Sequence, residues 1–321
     1  MRLPGHRIVK TAVAITLTAF ICIWLEWPPV FAVITAIVTL EPTVTDSIKK
    51  GIVRFPASAI GSFYAVLFIS LFGNSTLTYT LAGTLTIITC YRLKLHAGLL
   101  VATITSVAMI EVIHDQFMMA FFIRLGTTSI GLVVSTLVNM FIFPPNYQKA
   151  IEQHLQLIRT NIGELLVSEK SLAEKEKQIL HIRKLLDKTK QFILYEVNES
   201  QLRPFIDKNE DEQTDYLRQL EHVELIYYHL KNIAAVSLKG TTFSKQETNQ
   251  IQAGMAELAA YFTKDKQVNV EHVTVFRQLM NTFWKSNQQD ESHHPSLLPN
   301  ELIILYELIS IYALIKEEIN T

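Results

Sequence analysis

The sequence predicts an all-α protein: a six-span transmembrane helical domain over residues 1–145, followed by a cytosolic helical bundle over residues 146–321. Three observations carry this reading. Hydrophobic residues make up 49% of the 321, and the mean hydropathy is +0.22. Charge is unevenly spread: residues 1–145 hold 9 Lys and Arg against 5 Asp and Glu, whereas residues 146–321 hold 20 against 25. Apolar runs with few charges between them fill the first part, and in the second the apolar residues return at helical spacing. The near-neutral total of −1, with no basic stripe, argues against nucleic acid as a partner and leaves membrane lipid as the first one.

Crossing ~30 Å of hydrocarbon takes about 20 helical residues, fewer where the bilayer thins. The candidate spans are 8–25, 29–40, 56–72, 77–91, 97–113 and 118–143, the first five on the short side. Arg2, Arg7 and Lys10 precede the first, which reads as a span and not as a removable signal because no small-x-small cleavage site follows. Thr84, Thr86, Thr89, Thr103, Thr105 and Ser106 are small polar residues of the kind that lets helix backbones approach closely in lipid. Cys22 and Cys90, both inside apolar runs, read as small buried hydrophobes and not as a disulfide framework or a zinc site.

The connections set the orientation. Lys49, Lys50 and Arg54 lie between spans two and three, and Arg92 and Lys94 between four and five. The turns after spans one, three and five contain no Lys or Arg. The positive-inside rule then places both termini in the cytoplasm and the chain in the cell (inner) membrane as a multi-pass protein. Trp24 and Trp27 fall at the outer end of span one, where indoles favour the headgroup layer.

Pro144 and Pro145 end the sixth run. Beyond them Ile151, Leu155, Ile158, Ile162, Leu165 and Leu166 form one apolar stripe of an amphipathic helix. Similar patterns cover 172–199, 214–238, 244–262, 270–284 and 298–319, so a bundle of about six helices is expected. Ser244 followed by Glu247 fits a capping box, and the polar stretch 200–214 reads as a loop.

No Walker A loop, no H-E-x-x-H, no Glu-x-x-His pair and no G-x-S-x-G motif occurs, so neither an ATP-driven pump nor an enzyme is indicated, and no cofactor is called for. His293 and His294 lie in a polar loop and read as solvated, and the surroundings of His222 and His229 read as an exposed helix face. The informative stretch is 40–56. Glu41 precedes a proline at the end of span two, where an acid can exchange protons or pair with Lys50 or Arg54. Lys49, Lys50 and Arg54 either gather anions at a pore entrance or simply record topology. Arg124 falls inside span six, where a charge costs at least ~2.5 kcal/mol. It either snorkels to the outer surface or faces protein, water or an anionic ligand, with Glu111 and Asp115 within reach as partners.

Four segments carry a resemblance: RIVKTAVA at 7–14, FAVITAIVTLEPT at 31–43, DSIKKGIVRFPASAIG at 46–61 and NMFIFPP at 139–145. In their order and spacing the chain resembles the bacterial aromatic acid exporter family, within the larger fusaric-acid-resistance superfamily, and most of all its small single-module members from Gram-positive bacteria. The resemblance implies efflux of small organic anions, aromatic carboxylates among them, without ATP. Lys50, Arg54 and Arg124 would attract or bind the substrate, and Glu41 or Asp46 would couple protons or gate. Larger exporters carry two membrane modules in one chain, so the single module here implies a homodimer. Plant malate channels of a distantly similar build keep a dimeric anion channel open as an alternative, and a non-transporting scaffold is a third.

Overall fold

The computed structural model describes residues 5–112, 117–142, 146–168, 171–200, 210–236, 241–264, 268, 271–289 and 299–320. Asp115, Pro144, Pro145, His293 and His294, together with 201–209, lie outside them. Among the described residues there are twelve α-helices, one 3-10 turn and no strand. The helices sort into two compact units: 1–146 with 197–208, and 147–196 with 209–321.

The first unit holds α1 (His6–Trp24), α2 (Pro29–Thr39), α3 (Val44–Phe72), α4 (Thr76–Arg92), the 3-10 turn His96–Gly98, α5 (Leu99–Val112) and α6 (Phe117–Phe141). By length and composition, α1, α3 and α6 can each cross a membrane; α2 and the stretch His96–Glu111 are apolar but shorter. With 11 residues, α2 extends only ~16 Å, about half of a hydrocarbon core. It is bounded by Pro28 before its first turn and by extended Leu40 and Pro42 after its last.

Helix α3 differs from the sequence expectation. It starts at Val44, not near Pro56, so the expected loop 40–56 is mostly helix. Two features explain the early start. Thr43 has extended backbone and its side chain accepts the Asp46 N–H at 3.0 Å, and Asp46 supplies the negative charge that a helix N-terminus favours. Pro56 lies inside the helix, which continues through it because neighbouring helices hold the surrounding turns in place. Glu199, in the last turn of α8 (Leu172–Ser200), adds a further cap by accepting the Val44 N–H at 2.9 Å.

Ends of α1 and α4 are closed alike without glycine. Glu26 and Lys94 adopt φ near +58°, and the following amides of Trp27 and Leu95 reach back to the carbonyls of Cys22 and Cys90 at 2.8 and 2.9 Å. Cross-helix contacts fix the relative directions. Ser58 meets Thr128 and Ser47 meets Asn139, so α3 and α6 run antiparallel. Lys10 near the start of α1 also reaches Asn139 near the end of α6. Tyr64 meets Thr89, and Tyr79 donates to Glu111, so α3, α4 and α5 alternate as well. Cys22 and Cys90 are free thiols, fully buried.

Glycine makes two further approaches possible, of α3 to α5 and of α6 to α2. A Cβ on Gly61 would stand 2.3 Å from the Ala102 carbonyl oxygen, and one on Gly131 would stand 2.5 Å from that of Ala32. Both neighbours are backbone and cannot swing aside. At Gly51 the nearest atom is a Leu132 methyl at 3.7 Å.

The second unit holds α7 (Gln148–Leu166), α8 up to Glu196, α9 (Glu210–Ala235), α10 (Lys245–Lys264), α11 (Glu271–Gln289) and α12 (Asn300–Asn320). The expected stripe on α7, Ile151 to Leu166, is buried throughout. It packs on α10, while α12 packs on α9 and α11. Gly254 of α10 lets the Phe276 ring of α11 sit 2.4 Å from where a Cβ would be. Ser244 and Glu247 form the expected reciprocal cap, the Glu247 carboxylate accepting the Ser244 N–H at 2.8 Å and the Ser244 hydroxyl accepting the Glu247 N–H at 3.3 Å.

The histidines of α9 do not lie on an exposed face. His229 pairs with Glu307, and His222 lies 3.2 Å from Glu318, both half-buried against α12. Glu318 also meets Arg159 of α7 and accepts the Tyr261 hydroxyl at 2.9 Å. Burial works against its ionisation, but His222, Arg159 and Tyr261 outweigh burial and hold its carboxyl down to about 2. The Glu318 carboxylate beside the ring, helped by the Leu314 carbonyl, raises His222 above its ordinary value against burial and the Arg159 charge.

Two predictions follow from this packing. Gly61→Ala and Gly131→Ala should each cost about 1–3 kcal/mol by overpacking, seen as a lower melting midpoint of the purified protein, while Gly51→Ala leaves the midpoint in place. Because His222 has a raised folded pKa, the stability it contributes is full below its unfolded value and is lost as pH rises through the folded one. Melting midpoints between pH 6 and pH 9 should therefore fall more in the natural protein than in His222→Gln.

Candidate functional site

Two charged groups in the first unit stand out. One lies at the start of α3. Lys50 and Arg54 are one helical turn apart and both reach back to Glu41, in the extended segment after α2. Lys50 Nζ lies 2.9 Å from Glu41 Oε2, and Arg54 Nη2 lies 2.7 Å from Oε1. Arg54 Nε donates to the Ala97 carbonyl at 3.2 Å, while its Nη1 is buried without a partner. Burial opposes ionisation of Glu41, but the two cations outweigh it and hold its carboxyl below the ordinary range. In this arrangement Glu41 is the counter-ion of Lys50 and Arg54.

Asp46 is not brought into this cluster. It occupies the first turn of α3, where it complements the helix dipole, and makes no ion pair among the described residues. Lys49 is exposed on the same helix.

The second group surrounds Arg124, seven residues into α6. The side chain does not snorkel: the residue is 3% exposed. Its Nη2 donates to the Thr105 hydroxyl of α5, and its guanidinium carbon lies 4.3 Å from the centre of the Phe31 ring of α2. Nε and Nη1 are buried and have no partner. A guanidinium offers five N–H donors in a fixed fork, and an arginine buried with donors left over is costly unless a ligand uses them. Glu111, expected within reach of Arg124, instead accepts the Tyr79 hydroxyl.

A third polar group was not singled out from the sequence. Lys10, 7% exposed, donates to Asn139 Oδ1 at 2.7 Å. The Asn139 amide in turn donates to the carbonyls of Glu41 and Thr43 and to the Ser47 hydroxyl, each at 3.1 Å. The available signal was an asparagine inside an apolar run, together with a lysine within the first span's own first turns.

Among the described residues no three His, Cys, Asp or Glu side chains are grouped to hold a metal ion. The charged groups are instead two cations salt-bridged to Glu41 at an end of α3, and one arginine with two unpartnered nitrogens among apolar helices.

Residues 2–142 match the family model described as "Aromatic acid exporter family member 1". Similar proteins span nearly the whole chain. A UPF0421 protein of Oceanobacillus iheyensis is 44% identical, covering 98% of this chain and 94% of its own. One of Bacillus cereus is 40% identical, covering 98% and 93%, and one of Staphylococcus haemolyticus is 31% identical, covering 99% and 98%. This chain is a helical membrane protein that belongs to the aromatic acid exporter family, alongside the UPF0421 proteins of Gram-positive bacteria.

Proposed function

We propose that the protein is a secondary transporter that exports aromatic or other small organic acids across the cell membrane without ATP. The observation that carries the reading is Arg124: a fixed cation, 3% exposed, with two unpartnered nitrogens and an aromatic ring against its face. A carboxylate docking there gains charge-assisted hydrogen bonds, and an aromatic acid extends its ring toward Phe31. The membrane potential adds a drive for moving an anion outward, worth ~2.3 kcal/mol per unit charge per 100 mV.

Lys50 and Arg54 form the inner receiving site in this reading, with Glu41 as the gate. Glu41 occupies the two cations until an incoming carboxylate or a proton takes its place. Six passes with both termini in the cytoplasm fit the alternating helix directions. They bring the basic starts of α1 and α3 to the same end as the finish of α6. The short helices α2 and α5 then cross as segments packed within the bundle, and two copies make the working unit.

The test is flux of labelled 4-hydroxybenzoate, benzoate and malate in proteoliposomes under an imposed pH gradient and potential. Saturable flux of at least one acid is expected, reduced about 10- to 100-fold in Arg124→Ala, the loss that goes with removing hydrogen bonds to a charged group. Flux unchanged in that variant, or no flux from folded protein with any of the three acids, would overturn the reading.

A further inference from the structure

Helices α3 and α6 meet along a seam of small and hydroxyl-bearing residues whose two ends carry cations. On α6 the seam holds Thr128, Ser135 and Asn139, and Arg124, which reaches Thr105 of α5 and Phe31 of α2, falls within about 60° of them around the helix. On α3 it holds Ser47, Gly51, Ser58 and Ser62, all buried. The pairing is antiparallel and in step: Ser58 meets Thr128 at 3.2 Å, and one equal stride further along each helix Ser47 meets Asn139 at 3.1 Å. From Arg124 to Asn139 the rise is ~22 Å, most of a hydrocarbon core.

Three features separate this seam from ordinary close packing. Its far end is completed by Lys10, which among the described residues donates to the side chain and carbonyl of Asn139 and forms no salt bridge. Its near end is Arg124 with Nε and Nη1 unfilled. Between those cations neither helix carries an acid: α6 has none, and the sole acid of α3, Asp46, lies in its first turn. A lane with a cation at each end and neutral hydroxyls between offers donors to an anion along its length, and the one carboxylate that acts on Lys10, Glu199, is engaged in capping α3 at Val44. The seam also has slack: where α3 meets α6 at Gly51, a Cβ would meet only one Leu132 methyl at 3.7 Å, whereas Gly61 and Gly131 are clamped against the backbones of α5 and α2.

We infer that the substrate carboxylate travels along the α3/α6 seam, and that Lys10, positioned by Asn139, is a second anion-binding station opposite Arg124. This inference rests on the transport reading above and adds the route and a residue to it. The carboxylate passes from one cation to the other while the hydroxyls of Ser47, Ser58, Thr128 and Ser135 replace its water. In the conformation described here the seam is closed, and transport requires the two helices to part.

The experiment uses the full chain in proteoliposomes with Cys22 and Cys90 replaced by Ala, first confirming benzoate flux. Ser135→Cys in that background is treated with a negatively charged, membrane-impermeant methanethiosulfonate. The expected results are block of flux by the reagent and protection of the thiol by benzoate. Val133→Cys, at the same depth but 56% exposed on the outer side of α6, should show neither effect. Lys10→Met should raise the half-saturating benzoate concentration at least about tenfold, with Lys10→Arg restoring it. Flux that continues while Ser135→Cys is unreactive, or reacts without block or benzoate protection, overturns the route. An unchanged half-saturating concentration in Lys10→Met overturns the second station. Absence of benzoate flux in the cysteine-free parent, with flux in the natural protein, makes Lys10→Met and Lys10→Arg in the natural background the deciding pair. Absence of flux in both overturns the transport reading and the route with it.

Discussion

Placing positive charge inside a bundle of apolar helices is the constraint on which the first unit depends. Each buried cation has to recover, from protein, what it loses in water. Arg54 recovers it from the Glu41 carboxylate and the Ala97 carbonyl, and Lys10 from the amide of Asn139. Arg124 recovers part of it from the Thr105 hydroxyl and the Phe31 ring, and two of its nitrogens keep donors in hand. The helices follow these demands. Small residues on α3 and α6 bring the backbones close enough for serine and threonine to reach across. The early start of α3 puts Lys50 and Arg54 on a rigid helix and not on a loop, one turn apart and facing Glu41.

The second unit meets a different constraint. With charged and polar residues on its outer faces, it relies on continuous apolar stripes such as that of α7. The polar residues that enter its interior are placed in complementary pairs. Glu318 draws in Arg159, His222 and Tyr261 from three other helices, and Glu307 holds His229 and Asn232. Histidine and carboxylate there satisfy one another, whereas in the first unit the cations outnumber the acids. That imbalance is what makes the first unit, and not the second, the place to look for an anion.

Much of this was legible in the sequence because helical periodicity and charge segregation are strong signals. The six helices of the second unit, the Ser244–Glu247 cap and the pairing of Glu41 with Lys50 and Arg54 were all readable from residue type and spacing. The start of α3 was not, because Pro56 and the charges of 41–54 read as a loop. Only the Thr43 cap and the support of neighbouring helices make that stretch helical. Arg124 was visible as a charge in an apolar run, but its direction was not, since snorkelling and burial leave the same trace in one dimension. Asp46 follows Glu41 closely in sequence, but it lies in the first turn of α3, where it complements the helix N-terminus and stands outside the Glu41 ion pairs. Lys10 and His222 were hidden for the same reason: which way a helix face points depends on partners far along the chain.

The claim at the centre of this account is that Arg124 is an anion site. Titration of the purified natural protein and of Arg124→Ala with benzoate, followed by calorimetry, tests it without any assumption about route or driving force. The expected result is saturable binding to the natural protein that weakens at least about tenfold in the variant, in line with the loss of charge-assisted hydrogen bonds. Equal affinity in the two proteins, with both shown to be folded, would contradict it.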